Sequence, residues 1–495
     1  MRCPRVLLVV LTAALALPAV APAAKAKPKR NVVVVMTDDQ DFRSMFTMPK
    51  TVKLIGDQGT TFDNAVVSFP LCCPSRATYY TGQYAHNHDV TWNFFPTGGY
   101  YKFDQSEVLP LWLQRAGYRT IHIGKYLNET DERDATEIPN GWTDYMGGVD
   151  PSTYDYYGYT LNINGKLKTY GRDPKDYSTD VYAGLASSAI HRSVKLHKPF
   201  FLNVAPNAPH TVSVASSARM EGTPAVPAPR DANVFANTPL PNWPNFDEAD
   251  ISDKPPALGL LPYPMPQADI DSLTRHYRGR MGSLLAVDDM VARIVKTLKR
   301  EHVYANTDII FTSDNGWILG EHRLRDPVTE DHFASGVKFF PFEGSAHVPL
   351  LASGPDFPKG RSVEGAVVNT DLAATIVDIA NAKAKLPADG RSLLPVARKP
   401  SLVARRGVLL ETFVNPRNAP PYKAIRTGRY RYDLQDDGVE ELYDLKVDPW
   451  ELTSFHNDPR YAEIKAILAA KLKQLVGCRG KDCEVDVGPL PAPGQ

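Results

Sequence analysis

Residues 31–37 read Asn-Val-Val-Val-Val-Met-Thr, an apolar, β-branched run without alternation. A strand with no polar face has no solvent side, so this run predicts a parallel strand buried on both faces. Runs of the same kind recur at 119–123, 199–205, 308–313 and 348–352. Between them the period changes to that of a helix. Residues 108–116 predict a helix that Gly117 stops. Residues 270–298 predict a longer one, with Leu273, Tyr277, Met281, Leu284, Val291, Ile294 and Leu298 along one face. Asp288 and Asp289 lie on that helix and are expected to be solvated or salt-bridged, since no strand end brings them to other ligands. Strands alternating with helices predict an α/β fold: a large, mostly parallel central sheet flanked by helices.

Two regions depart from this rhythm. Residues 211–267 are rich in proline, with Pro255, Pro256, Pro262, Pro264 and Pro266 near the end. A connection this long is expected to be a surface excursion that shapes access to a site. After residues 390–394 the runs shorten and alternate, at 408–413, 422–426, 430–434 and 441–445, before a helix at 460–476. This texture predicts a small C-terminal α+β subdomain with an antiparallel sheet. The expected division is 27–400 for the large domain and 401–495 for the small one.

The first 26 residues read as a secretory signal peptide. Arg2 and Arg5 precede an apolar stretch at 6–20, and Ala21-Pro22-Ala23 and Ala24-Lys25-Ala26 offer cleavage sites. No cysteine marks a lipid anchor there, and no later run reaches the length of a membrane span. The protein is therefore expected to be exported, to a periplasm or to the medium, without a stable membrane anchor. With 56 basic and 56 acidic residues the chain has no excess charge that would point to nucleic acid. Loss of the leader removes Cys3 and leaves Cys72, Cys73, Cys478 and Cys483. Adjacent cysteines have Cα atoms about 3.8 Å apart, too close for the usual bridge. Cys478 and Cys483 are expected to pair in an oxidising compartment. A zinc site from the four thiols is the weaker rival, because no histidine stands at ligand spacing.

Ligands of open parallel sheets bind beyond the carboxyl ends of the strands. The expected strands run there into Asp38-Asp39-Gln40, into Gly124-Lys125, through residues 206–209 to His210, and into Asp314-Asn315-Gly316. Each alone is an ordinary polar turn; four on one edge suggest a site. Asp38, Asp39, Asp314 and Asn315 offer only oxygen donors, which suits a hard divalent cation, calcium before magnesium. Lys125, His210 and Lys338 would surround an anionic group with positive charge.

One motif remains. Residues 72–82 read Cys-Cys-Pro-Ser-Arg-Ala-Thr-Tyr-Tyr-Thr-Gly. Pro74 fits a first helical turn and Gly82 ends the helix, so Cys72 falls at a helix N-terminus, where free N–H groups favour an anionic oxygen. Arg76, one turn in, is placed to hold that oxygen or an oxyanion by charge-assisted bonds. A buried structural thiol is the plain reading of Cys73. The stretch resembles the signature of the sulfatase family, C-x-P-S-R followed after four more residues by Thr-Gly. Residues 117–125, Gly-Tyr-Arg-Thr-Ile-His-Ile-Gly-Lys, resemble the family's second signature.

The resemblance implies an alkaline-phosphatase-like sandwich and a sulfuric ester hydrolase. It implies that a separate formylglycine-generating enzyme oxidises Cys72 to formylglycine, whose hydrate attacks sulfur in a two-step transfer. It implies one Ca²⁺ held by Asp38, Asp39, Asp314, Asn315 and residue 72, with Asp314 assisting deprotonation of the nucleophile. Arg76, Lys125, His210 and Lys338 match the family's sulfate-binding and proton-handling positions, His210 or Lys338 serving the leaving alcohol. Residues 71–76, 86–88, 124–128 and 159–165 resemble those sulfatases that remove the 6-O-sulfate of N-acetylglucosamine in sulfated glycans. The implied partner is a sulfated carbohydrate or small sulfate ester; an arylsulfatase or a phosphonate or phosphate monoester hydrolase is the alternative. Leu127 stands where arylsulfatases usually carry a histidine, which leaves the base for sulfate release unassigned. His86 and His88 are expected to be exposed turn residues.

Overall fold

The computed structural model describes residues 29–212, 223–255, 260–324, 336–413 and 420–494. The expected leader, residues 1–26, lies outside them. In chain order the strands of the large domain are β1 (Asn31–Thr37), β2 (Gly59–Phe62), β3 (Ala65–Val66), β4 (Arg119–Gly124), β5 (Asp144–Gly148), β6 (Thr160–Ile163), β7 (Lys166–Thr169), β8 (Phe200–Ala205), β9 (Thr307–Ser313), β10 (Leu350–Ser353), β11 (Arg361–Val363) and β12 (Val367–Val368). β3 and β12 form a small ribbon, and the other ten form one sheet in the order β11-β2-β10-β9-β1-β8-β4-β5-β6-β7.

The five central strands, β9-β1-β8-β4-β5, run parallel to one another. The composition of β1 follows from its place among them. Val32, Val34 and Met36 face a core shared with helices Cys72–Thr81, Leu109–Arg115 and Thr370–Ala380. Val33 and Val35 face the opposite core, shared with helices Ser178–Lys195 and Gln267–Arg300. Each valine so buried contributes roughly 1.5–3 kcal/mol, and a polar residue anywhere in the run would disturb one core or the other.

Two expectations are corrected here. The run at 348–352 becomes β10, which pairs antiparallel with both β9 and β2. Leu350, Leu351 and Ala352 are apolar because the whole strand is buried, and burial does not depend on strand direction. Asp288 is buried and neither solvated nor ion-paired; its carboxylate accepts from the backbone N–H of Lys50 and Thr51 and from the Thr51 hydroxyl, capping the short helix Pro49–Thr51. Asp289 does form ion pairs, with Lys50 and with Arg230 at 3.2 Å.

The C-terminal sheet has the order β16-β15-β14-β13-β17, from β13 (Arg406–Glu411), β14 (Tyr422–Arg426), β15 (Tyr430–Gln435), β16 (Glu440–Asp444) and β17 (Val485–Asp486). All its pairings are antiparallel. Helix Ala462–Leu475 lays Ile464, Leu468, Leu472 and Leu475 on it. Cys478 and Cys483 are joined by a disulfide just beyond that helix. The proline-rich stretch docks against residues 318–324: Phe246 bridges to Glu321 and Leu260 to Leu324. Among the described residues no helix is long and apolar enough to cross a membrane.

Candidate active site

Strand register decides which side chains meet. β1 and β9 end together, with Thr37 opposite Ser313, so Asp38-Asp39 and Asp314-Asn315 leave the sheet side by side. β4 and β8 end together as well, Gly124 opposite Ala205, which brings Lys125 beside the turn that leads to His210. Gly124 has φ 95°, and a Cβ there would come within 2.1 Å of the Ala205 carbonyl. No side chain fits, and the lysine that follows is delivered close to its neighbour strand. Asp39 also has positive φ, 69°. Asp tolerates this conformation better than most residues. It is fixed there from both ends: its N–H donates to Asp314 Oδ1 at 3.1 Å, and its carbonyl accepts from the buried guanidinium of Arg280.

Helix Cys72–Thr81 starts after extended Leu71 and stops at left-handed Gly82. Asn93 Oδ1 accepts from the Cys73 N–H at 3.0 Å and caps the first turn. Every residue of this helix is buried, so its N-terminus is held rigidly under the sheet edge. Cys72 Sγ lies 3.6 Å from Asp38 Oδ1, 4.0 Å from Asp39 Oδ1 and 2.9 Å from Lys338 Nζ.

The remaining groups close around it. Lys125 Nζ donates to Asp38 Oδ2 at 2.7 Å and Lys338 Nζ to Asp39 Oδ1 at 2.7 Å. Arg76 Nε donates to Asp314 Oδ2 at 2.7 Å, and its Nη1 to the Lys125 carbonyl at 2.7 Å. His210 Nδ1 sits 2.7 Å from the Thr211 carbonyl, so that nitrogen carries the proton and Nε2 faces Asp39 Oδ2 at 3.5 Å. Tyr154 and Trp317 form walls: Lys125 Nζ stands 4.7 Å from the Tyr154 ring centre and Lys338 Nζ 5.2 Å from that of Trp317. The sequence-expected residues Asp38, Asp39, Cys72, Arg76, Lys125, His210, Asp314, Asn315 and Lys338 all converge here and all are buried.

Electrostatics follow from that convergence. Burial alone would raise the Asp38 carboxyl, but Lys125, His210, Arg76 and Lys338 outweigh it and hold it below the usual carboxylate range. Asp314 goes the other way: burial, then the neighbouring Asp38 charge, raise it to about 6. Burial pushes the Cys72 thiol up to about 12, against the pull of Lys125 and Lys338. An unmodified Cys72 is thus a protonated thiol and a poor nucleophile at neutral pH.

The donor set suits a cation. Asp38, Asp39, Cys72 and His210 present ligand atoms all within 4.8 Å of one another. Asn315 Oδ1 and Asp39 Oδ2 are buried oxygens with no hydrogen-bond partner, and such orphans are costly unless something positive meets them. The tight cluster differs from the expected shell by including His210, whereas Asp314 is occupied by Arg76 and the Asp39 N–H. Three carboxylates (Asp38, Asp39, Asp314) face three fixed cations (Arg76, Lys125, Lys338), so a divalent ion would leave the site positive and ready for an anion.

His86 and His88 are not exposed turn residues. They are half-buried on helix Ala85–His88. His86 Nδ1 bonds both oxygens of Glu411 and its Nε2 meets the Cys478 carbonyl at 2.8 Å, while His88 Nε2 lies 3.0 Å from Thr78 Oγ1. Both are committed to packing. Arg280, Tyr154 and Trp317 were not anticipated. Arg280 could have been suspected, because it interrupts the buried face of the long helix between Tyr277 and Leu284.

The Sulfatase family profile matches residues 30–382. This chain belongs to the sulfatase family. Residues 335–477 match a second profile, N-sulphoglucosamine sulphohydrolase, C-terminal. An arylsulfatase of Volvox carteri is 33% identical, the match covering 93% of this chain and 76% of that one. An N-acetylglucosamine-6-sulfatase of Homo sapiens is 32% identical, covering 97% and 90%. The sulfatase is thus a sulfuric ester hydrolase. A protein solved in complex with its substrate D-glucosamine-2-N,6-O-disulfate shares the fold, with a TM-score of 0.72 at 22% identity over 91% of this chain and 98% of that one. The phosphonate monoester hydrolase of Agrobacterium radiobacter shares it at 0.65 and 21% over 91% and 96%.

Proposed function

We propose that this sulfatase removes the 6-O-sulfate of N-acetylglucosamine units in sulfated glycans, using formylglycine made from Cys72 and one bound Ca²⁺. The observation that carries this reading is the position of residue 72, at a buried helix N-terminus between two carboxylates and a lysine, in a chain 32% identical over nearly its whole length to an N-acetylglucosamine-6-sulfatase. The thiol is too weakly acidic to serve as it stands; oxidation to the aldehyde hydrate would supply an oxygen nucleophile at the same point.

Asp38, Asp39, Asp314 and Asn315 are the residues that would hold the cation, whose charge would offset that of the sulfate oxygens. Lys125 and Lys338 bind the sulfate from opposite walls as point charges, and Arg76 holds the cluster together through Asp314. Asp39 keeps Lys338 protonated, so this lysine acts as an anion ligand and not as the acid. His210, with Nδ1–H fixed on the Thr211 carbonyl and burial favouring its neutral form, presents a bare Nε2 that would take up the proton released by the attacking hydroxyl and pass it to the departing sugar oxygen. Tyr154 and Trp317 exclude water from the two ammonium groups. Residues 1–26 direct the enzyme out of the cytoplasm, residues 27–400 carry the site and residues 401–495 brace it.

The arylsulfatase of Volvox carteri, equally similar in sequence, favours a second reading in which small aryl sulfates are the substrates. Sulfate release from N-acetylglucosamine 6-sulfate, N-acetylgalactosamine 4-sulfate, a nitrophenyl sulfate and a nitrophenyl phosphonate monoester separates the readings. The largest kcat/KM is expected for the 6-sulfated glucosamine. Preference for the aryl ester would favour the second reading, and preference for the phosphonate would overturn both.

A further inference from the structure

Helices Ser178–Lys195 and Gln267–Arg300 pack side by side on one face of the sheet, and their surfaces enclose an open groove of about 950 Å³. Five cationic side chains and a histidine line it: Arg192 and Lys195 with His191 from the first helix, and Arg293, Lys296 and Arg300 from the second. All six are exposed. The spacing explains the stripes. Positions 191 or 192 and 195, like 293, 296 and 300, recur at three to four residues and therefore share a helix face.

The charge is segregated along each helix. The acids of the long helix are Asp269, Asp271, Asp288 and Asp289; beyond Asp289 it carries only bases, and the first acid is Glu301 at its end. The shorter helix holds Asp180 in its first turn and only bases after it. Cations in a last turn complement the helix dipole, but that effect fades within the turn, and Arg293 and Lys296 stand further back. Glu301 meets His191 and Arg300, each at 3.2 Å, and Asp144 meets Arg192 at 3.4 Å. Among the described residues Lys195, Arg293 and Lys296 form no ion pair. The floor is polar: Thr297 Oγ1 donates to Ser187 Oγ at 3.1 Å. The Arg293 guanidinium lies over Gly184, its Nη2 3.5 Å from where a Cβ would stand.

This concentration stands out on a chain with zero formal net charge. We propose that the groove is a second binding surface, for an extended sulfated polysaccharide. The proposal rests on the reading of the enzyme as a glycan sulfatase and adds where the polymer is held. Both helices end just before β8 and β9 enter the sheet, whereas the active site lies where those strands leave it. The groove is therefore at the opposite edge and serves to tether the chain, not to position the ester being cleaved. Paired rows of separated cations over a hydroxyl floor match a repeating anion.

The test is anisotropy of a fluorescein-labelled heparin oligosaccharide titrated with the full chain. The triple variant Lys195→Ala/Arg293→Ala/Lys296→Ala is expected to bind at least tenfold more weakly and with a shallower dependence on salt. Its turnover of monomeric N-acetylglucosamine 6-sulfate should be unchanged, while its KM for a sulfated polymer rises. Lys166→Ala/Lys168→Ala, on the exposed strand β7, should leave binding as it was. Wild-type affinity in the triple variant would overturn the proposal. So would an equal loss in the β7 variant, or equal competition by duplex DNA, which would mean unselective charge. Groove-dependent heparin binding without release of sulfate from the 6-sulfated monomer would overturn the substrate reading and leave the groove standing.

Discussion

Two regions of buried charge in this sulfatase are arranged differently. Where the C-terminal sheet meets the large domain, two acids are held by forked arginines. Arg406 holds Asp371 through bonds of 2.6 and 2.9 Å, and Arg426 holds Glu343 through 2.9 and 3.2 Å. At the carboxyl edge of the central sheet the acids are shared. Asp38 lies between Lys125 and Arg76, and Asp39 accepts from Lys338 and Asn315 while facing His210. Forked arginine pairs fix geometry and saturate both oxygens of the acid. Lysines touch at one point, and two oxygens at the edge stay unpartnered. In the forked pairs charge is matched one to one; at the sheet edge donors converge on residue 72 and leave acceptors over.

Five experiments break or sharpen that contrast. Cys72→Ala removes the residue on which the edge converges. Sulfate release is expected to fall by roughly 10³-fold or more, the scale of losing a nucleophile, with thermal unfolding nearly unchanged. His210→Ala should lower kcat on a sugar sulfate by about 10²–10⁴-fold, as for other general acids. The loss should be much smaller on a nitrophenyl sulfate, whose leaving group departs without a proton; equal losses on both would remove His210 from that role. Arg406→Ala breaks a dedicated pair and strands Asp371, at a cost of about 3–5 kcal/mol in stability. It should appear in Tm and leave kcat per folded molecule intact.

Chelation tests the leftover oxygens. If a cation normally meets them, removing it from a level near a hundred times its Kd costs about 2.7 kcal/mol. Activity and Tm should fall together and return with Ca²⁺; a Tm indifferent to chelator would count against a resident cation. The smallest effect concerns Asp308, an acid with neither a dedicated arginine nor shared lysines. Burial raises its carboxyl to about 7. The folded state therefore binds a proton that the unfolded state, near about 3.9, has released, and stability is lost as pH rises through that window. Asp308→Asn removes the loss, so the variant's Tm should gain on wild type by a few degrees between about pH 5 and about pH 8.

Much of this was legible in the sequence, for physical reasons that also explain the rest. β1 could be read because two cores take its residues alternately and leave no polar position. β10 was found but its direction was not, since its residues report burial alone. The site was legible where consecutive strands end in chemistry, as at Asp38, Lys125 and Asp314. It was not legible where a group arrives from a helix or a loop. Arg280 reaches the Asp39 carbonyl from 241 residues away, and Tyr154 and Trp317 have the composition of any aromatic core. Asp288 was misjudged because the helix it caps lies 238 residues earlier. His86 reads as a turn residue because its partners, Glu411 and the Cys478 carbonyl, belong to the C-terminal part of the chain, and His88 because its partner, Thr78, lies on the preceding helix.

The central claim is that the oxidised side chain of residue 72, and not its thiol, does the work. Mass spectrometry of the tryptic peptide bearing residue 72, taken from exported and active enzyme, tests it most directly. That peptide also holds the free thiol of Cys73, so it should carry an aldehyde that reacts with a hydrazide and should take up one carbamidomethyl group from iodoacetamide, not two. Fully active enzyme in which that peptide is quantitatively alkylated at both Cys72 and Cys73 would contradict the account.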